Sequence, residues 1–126
     1  MNSKQIIQLA AILGALAVGI GAFGAHGLED LLAKNGRTET FEIAVKYHFY
    51  HAIALLLVGI LSTTKVSYHR GLSFSAINLI IGILIFSGSL YILSISNITW
   101  LGAVTPIGGI AFIVGWIGIF WTVTKR

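Results

Sequence analysis

His48 and His51 stand three residues apart inside an apolar stretch, with Glu42, Lys46 and Tyr47 just ahead of or beside them. The other groups able to do chemistry are His26, Ser87, Ser89, Tyr91 and Thr105. Ionisable side chains within a bilayer are costly, so they face a bundle interior and often serve function. Four readings of the histidines stand open. As neutral imidazoles, His48 and His51 bond Ser87, Ser89, Tyr91 or a backbone carbonyl and hold helices in register. Titrating near neutral pH, they line a proton or solute pathway. Two imidazoles at this spacing also fit one metal or haem iron, with His26 and Glu42 as further ligands. No second strong ligand motif accompanies them, and no metal or other cofactor is assigned. The last reading is acid–base work on a lipid headgroup. It has no Ser-His-Asp spacing and no phosphate-binding glycine loop behind it, and Gly108-Gly109 beside Pro106 reads as packing. Glu42 and Lys46 are four apart in the favourable order for a helix ion pair, with the lysine snorkelling towards the interface.

The elements that carry these residues are four apolar runs, Gln5–Ala25, Phe41–Ser62, Gly71–Ser94 and Pro106–Thr124, in a chain that is 56% apolar and 10% charged. A hydrocarbon core about 30 Å thick takes about 20 residues of helix, which each run approaches. Backbone groups in lipid must pair internally, so a spanning segment is a helix or part of a closed barrel. The runs lack the period-two alternation of a barrel strand, and too little polar surface exists to dissolve four such helices in water. The expectation is therefore all-α: one membrane domain over residues 1–126, a bundle of four transmembrane helices. Leu28, Leu31 and Leu32 alternate with Glu29 and Asp30 in the first connection, which predicts a short amphipathic helix on the outer membrane surface ended by Asn35-Gly36. The chain has no Cys, which removes disulfide and thiolate chemistry. Its net charge of +4 comes from Lys and Arg scattered at span ends, which is no nucleic-acid signal. The first run has a signal-peptide look in Lys4 and Ala22-Phe23-Gly24-Ala25, but it is long and three spans follow, so it reads as a retained span.

Charge gives direction. Lys4, Lys65, Arg70, Lys125 and Arg126 fall on one side of the four spans, Lys34 and Arg37 on the other, and Lys46 within a helix. Lys and Arg concentrate on the cytoplasmic side, so both termini are expected in the cytoplasm of a bacterial inner membrane. Trp100 and Tyr91 then anchor the outer interface and Trp121 the inner one. This orientation gathers His26, His48, His51, Ser87, Ser89, Tyr91 and Thr105 in the outer half. Small residues line α-helical faces in the first run (Ala11, Ala15, Gly19; Ala17, Gly21, Ala25) and the fourth (Gly108, Ala111, Gly115, Gly118), suiting close packing. Thr38 and Thr105 are expected N-caps, the latter followed by Pro106.

Several strings have a family look: Gly21-Ala22-Phe23-Gly24-Ala25-His26-Gly27-Leu28, Tyr47-His48-Phe49-Tyr50-His51-Ala52, Phe86-Ser87-Gly88-Ser89-Leu90-Tyr91, and Thr105-Pro106-Ile107-Gly108-Gly109 followed by Gly115-Trp116. In this order, over essentially the whole chain, they resemble domain-of-unknown-function family 423, small bacterial membrane proteins related to the animal transmembrane protein 256. The resemblance implies a four-span inner-membrane protein and no activity. Together with the residues, it favours a non-enzymatic protein, structural or accessory to a membrane complex. Its partners are the bilayer and a further copy or another membrane protein. The alternative is a small oligomeric transporter or channel component with a histidine-containing polar site.

Overall fold

A computed structural model describes residues 1–64 and 69–125. Lys65 and Arg126, two of the charges used for orientation, lie outside them. The elements are α1 (Ser3–His26), α2 (Glu29–Asn35), α3 (Thr38–Leu61), α4 (His69–Gly82), a π-helical turn (Ile83–Ser87), α5 (Gly88–Ser96), a 3₁₀ segment (Thr99–Ala103) and α6 (Thr105–Thr124). Four helical stretches, Ser3–His26, Thr38–Leu61, His69–Ser96 and Thr99–Thr124, are long and apolar enough to cross a membrane. No strand occurs among the described residues.

The start of α1 is a capping box. The Asn2 side chain accepts from the Gln5 N–H at 2.9 Å, and the Gln5 side chain accepts from the Asn2 N–H at 3.0 Å. The first connection folds as expected into the short helix α2, with Leu32 turned inward and Gly36 left-handed at φ 65°. Thr38, expected as a cap, is instead the first residue of α3 and makes no capping bond. Gly36 turns the chain so tightly that α3 begins directly after Arg37, whose carbonyl takes the Phe41 N–H at 3.0 Å. Thr105 likewise makes no cap, because the 3₁₀ segment runs almost straight into α6.

In lipid, apolar surface is no driving force between helices, so contact depends on fit. α3 and the span α4–π–α5 form the middle, with α1 against α3 and α6 against α4 and the π turn. Ile6, Ala10, Leu55, Val58, Leu72, Leu79 and Phe112 meet in the main apolar core. The two small stripes of α1 part company. Ala17 is buried and Gly21 lies on Val45, whereas Ala11, Ala15 and Gly19 face outward. The small face of α6 packs inward as expected. Its tightest point is Gly108, where a Cβ would collide with the backbone of Phe86.

First-connection side chains also close the end of α5. Asn35 Nδ2 donates to the carbonyls of Ser94 and Ile95 at 3.1 and 3.2 Å, and Arg37 Nε donates to Asn97 Oδ1 at 3.0 Å. Asn97 itself is left-handed, at φ 57°. The last carbonyls of a helix have no partner within it, and α2 supplies one here.

The approach at Gly108 makes a paired prediction. Gly108→Ala forces α6 off the π turn and destabilises by about 1–3 kcal/mol. Gly14→Ala meets nothing within 4 Å and leaves stability unchanged or raises it by up to about 1 kcal/mol. Denaturant unfolding of both variants in mixed micelles checks the contrast.

Candidate functional site

His51 occupies the middle of α3, 7% exposed. Its Nδ1 is 2.7 Å from the Tyr47 carbonyl, and its Nε2 is 3.2 Å from Trp116 Nε1. An indole N–H only donates and a carbonyl only accepts. The ring is therefore neutral, protonated on Nδ1 and accepting on Nε2. Its face stacks on Phe112 at 3.5 Å between centroids. Tyr47 stacks on Phe86 at 4.5 Å, and Phe86 meets Phe112 at 5.5 Å. These rings join α3, the π turn and α6 in one aromatic block. Tyr47 and Trp116 are 41% and 50% exposed, so the block reaches the lipid-facing surface.

His48 takes different partners. Its Nδ1 lies 2.9 Å from Tyr91 Oη, linking α3 to α5. Its Nε2 is buried without a hydrogen-bond partner, and the Leu13 backbone on α1 faces the ring without meeting hydrogen-bond geometry. One turn earlier on α3, the Ala44 carbonyl accepts from Ser87 Oγ at 2.8 Å. Ser89 and Thr105 share a hydrogen bond of 2.7 Å between α5 and α6, and Ser89 Oγ also reaches the Phe86 carbonyl at 3.0 Å. Thr105 Oγ1 lies 3.3 Å from the Leu101 carbonyl. Thr105 is thus a helix-to-helix contact rather than the cap expected of it.

The π turn makes part of this geometry. The apolar run Gly71–Ser94 predicts one α-helix, but the turn at Ile83–Ser87 adds a residue. It sets Phe86 against α6 and Ser87 against α3. No simple pattern marks it in the sequence. Trp116 left a legible sign: an indole N–H well inside a span needs an acceptor.

The expected polar cluster resolves into separate contacts. His48 with Tyr91, Ser87 with Ala44, Ser89 with Thr105, and His51 with Trp116 each tie a different pair of segments. His26 is exposed at the end of α1, apart from the other histidines. Glu42 and Lys46 are both exposed on one groove, and no ion pair joins them. Tyr91, expected at the interface, turns inward onto His48. Trp100 is 67% exposed, while Trp121 is 55% exposed with Lys125 Nζ 5.9 Å above its ring. No three His, Asp or Glu side chains converge to hold a metal among the described residues.

A family described as "Protein of unknown function (DUF423)" matches residues 20–109. The chain belongs to this family. The matched region holds both partners of the His48–Tyr91, Ser87–Ala44 and Ser89–Thr105 contacts, and His51 but not Trp116. Among curated relatives, the UPF0382 membrane protein YwdK of Bacillus subtilis (strain 168) is 45% identical over 122 residues, covering 97% of this chain and 98% of that protein. The UPF0382 membrane protein SSP2132 of Staphylococcus saprophyticus is 46% identical over 115 residues, 90% of this chain and 92% of that protein. A UPF0382 membrane protein of Staphylococcus epidermidis is 44% identical over 115 residues, with 90% of each chain covered. No solved structure matches. The chain is thus a polytopic membrane protein of a family whose function is unknown.

The two histidine contacts are expected to differ in weight. Tyr91→Phe leaves buried His48 without a partner on either nitrogen and destabilises by about 1–3 kcal/mol. Trp116→Phe keeps an aromatic face and loses a hydrogen bond at a half-exposed site, costing about 0.6 kcal/mol. Unfolding in micelles, with both variants measured beside the parent, reads the difference.

Proposed function

We propose that this protein is a non-enzymatic, single-domain component of the bacterial inner membrane, structural or accessory to a membrane complex. The observation that carries this reading is the state of His51. Both ring nitrogens are committed, to the Tyr47 carbonyl and the Trp116 N–H. A proton carrier or metal ligand needs a ring nitrogen that is free to exchange its partner, and binding through Nε2 would break the bond to Trp116. Ser87, Ser89 and Thr105 are spent in the same way on carbonyls and on each other.

The distribution of Lys and Arg supports both termini in the cytoplasm, with α2 on the outer surface. Lys4, Arg70 and Lys125 stand against Lys34 and Arg37. A further copy or another membrane protein is the expected partner.

One observation favours a second reading, a small oligomeric transporter or channel component. Buried His48 Nε2 has no partner, and an unpaired imidazole nitrogen is what a conducting site would use.

Two experiments test these readings. A C-terminal reporter active only outside the cytoplasm gives low signal, and strong activity contradicts the orientation. In proteoliposomes the parent protein and His51→Leu carry the same background proton flux, while His51→Leu lowers thermal stability or assembly. A pH-dependent flux that His48→Leu abolishes without loss of folding establishes the second reading instead.

A further inference from the structure

α1 and α3 leave a groove open to the membrane along one side. At the α2 end it encloses about 360 Å³ and is lined by Gly21, Gly24, Glu29, Glu42 and Lys46 among others. It continues towards mid-membrane past Ala17, Val18, Ala22 and Phe49, and Lys46 and Gly21 belong to both stretches. Its floor is open because α1 presents small residues there. Glu29, Glu42 and Lys46 are exposed, and none of the three forms an ion pair among the described residues.

A lysine within a span requires compensation, by snorkelling or by a counter-ion. Cβ vectors on a helix tilt towards its N-terminus, so Lys46 reaches back up the groove towards Glu42 and the membrane surface. Its natural counter-ion at that level is a lipid phosphate. Two carboxylates beside one ammonium ask for more than an anion, however. A headgroup bearing phosphate alone would set its negative charge against Glu29 and Glu42. A quaternary ammonium would supply the missing positive charge but has no N–H to donate to a carboxylate. A primary ammonium supplies both charge and donors.

The groove also has the length of a lipid chain. Past Val18 and Phe49 it runs on to Ala52 and Leu56, so from Glu42 to Ala52 it descends about 15 Å at 1.5 Å per residue, half of a hydrocarbon core about 30 Å thick. That is the depth of one leaflet.

We propose that the groove between α1 and α3 holds one aminophospholipid of the surrounding bilayer. Its phosphate lies on Lys46, its primary ammonium lies between Glu29 and Glu42, and one acyl chain runs over Gly21, Ala22, Val18 and Phe49. The site needs neither the orientation nor the accessory role proposed above, and it uses none of the buried histidine contacts.

Native mass spectrometry of the full-length protein tests this. The protein is exchanged into micelles containing equal amounts of phosphatidylethanolamine, phosphatidylglycerol and phosphatidylcholine with matched chains. The phosphatidylethanolamine adduct is expected to exceed each of the others about tenfold, the weight of one charge-assisted hydrogen bond. Glu42→Gln, at an exposed position, lowers that excess about tenfold, whereas Lys46→Gln, also exposed, lowers all three adducts about tenfold because the phosphate is common to them. Ala22→Trp, on the exposed wall of the groove, removes the adduct by filling the chain's path. Circular dichroism verifies folding, and the ranking of lipids by the parent protein stands whether or not a variant folds. Equal retention of the three lipids overturns the proposal. So does a preference for phosphatidylglycerol, or a lipid-free dimer that Ala22→Trp dissociates.

Discussion

Inside hydrocarbon there is no water to take a hydrogen bond that the protein leaves unmade. The rest of this structure depends on that constraint. Four long helices satisfy their own backbones, but their side-chain hydroxyls, imidazoles and indole, together with the free carbonyls at helix ends, have to find partners within the chain. Apart from His48 Nε2, they do so pairwise: Ser87 on Ala44, Tyr91 on His48, Ser89 on Thr105, Trp116 on His51, and Asn35 on the end of α5. In water such contacts would add modestly to a hydrophobic core. Here the core has no solvent advantage over lipid, so these contacts and close packing decide which helix sits beside which.

α3 is the element through which most of this passes. Ala44, His48 and His51 recur at the spacing of one helix face and meet the π turn, α5 and α6 in succession. The π turn matters because an uninterrupted α-helix would present its residues differently above and below Phe86. α6 approaches that turn closely only because residue 108 is glycine. The aromatic block, the π turn and Gly108 are thus one mechanical unit. α1 stands apart from it, held to α3 largely by small-residue packing. The same small residues leave a groove open beside Lys46.

The four spans were legible because their signal is compositional: each run is apolar on all sides and near the length of the bilayer. The amphipathic α2 and its Asn35-Gly36 stop were legible from local spacing. Tyr91 stood among several partners open to the histidines, with Ser87, Ser89 and a backbone carbonyl, but its side chain suited an interface anchor as well, and the choice of His48 was not legible. Nor were the other details set by three-dimensional approach. Thr105 carries a good cap signature, yet the preceding 3₁₀ segment leaves it no cap to make, and its hydroxyl goes to Ser89. Asn35 looks like a local turn residue, but its amide spans to α5. His48 and His51 share a spacing that suits a common ligand, yet their rings part towards different helices. His26 lies in the same run of familiar motifs and stays at the surface. Tertiary neighbours determine each of these outcomes, and no window of sequence holds them.

The role given to the buried polar groups, as fixed joints rather than moving parts, rests most heavily on the His51 ring. Nitrogen-15 solid-state NMR of ring-labelled protein in bilayers reads that ring directly. At neutral pH it should show a neutral imidazole protonated on Nδ1, with Nε2 bare and hydrogen-bonded, and the Nε2 signal should shift in Trp116→Phe. A ring protonated on both nitrogens, or one carrying its proton on Nε2, would contradict that role and return His51 to the groups that carry protons.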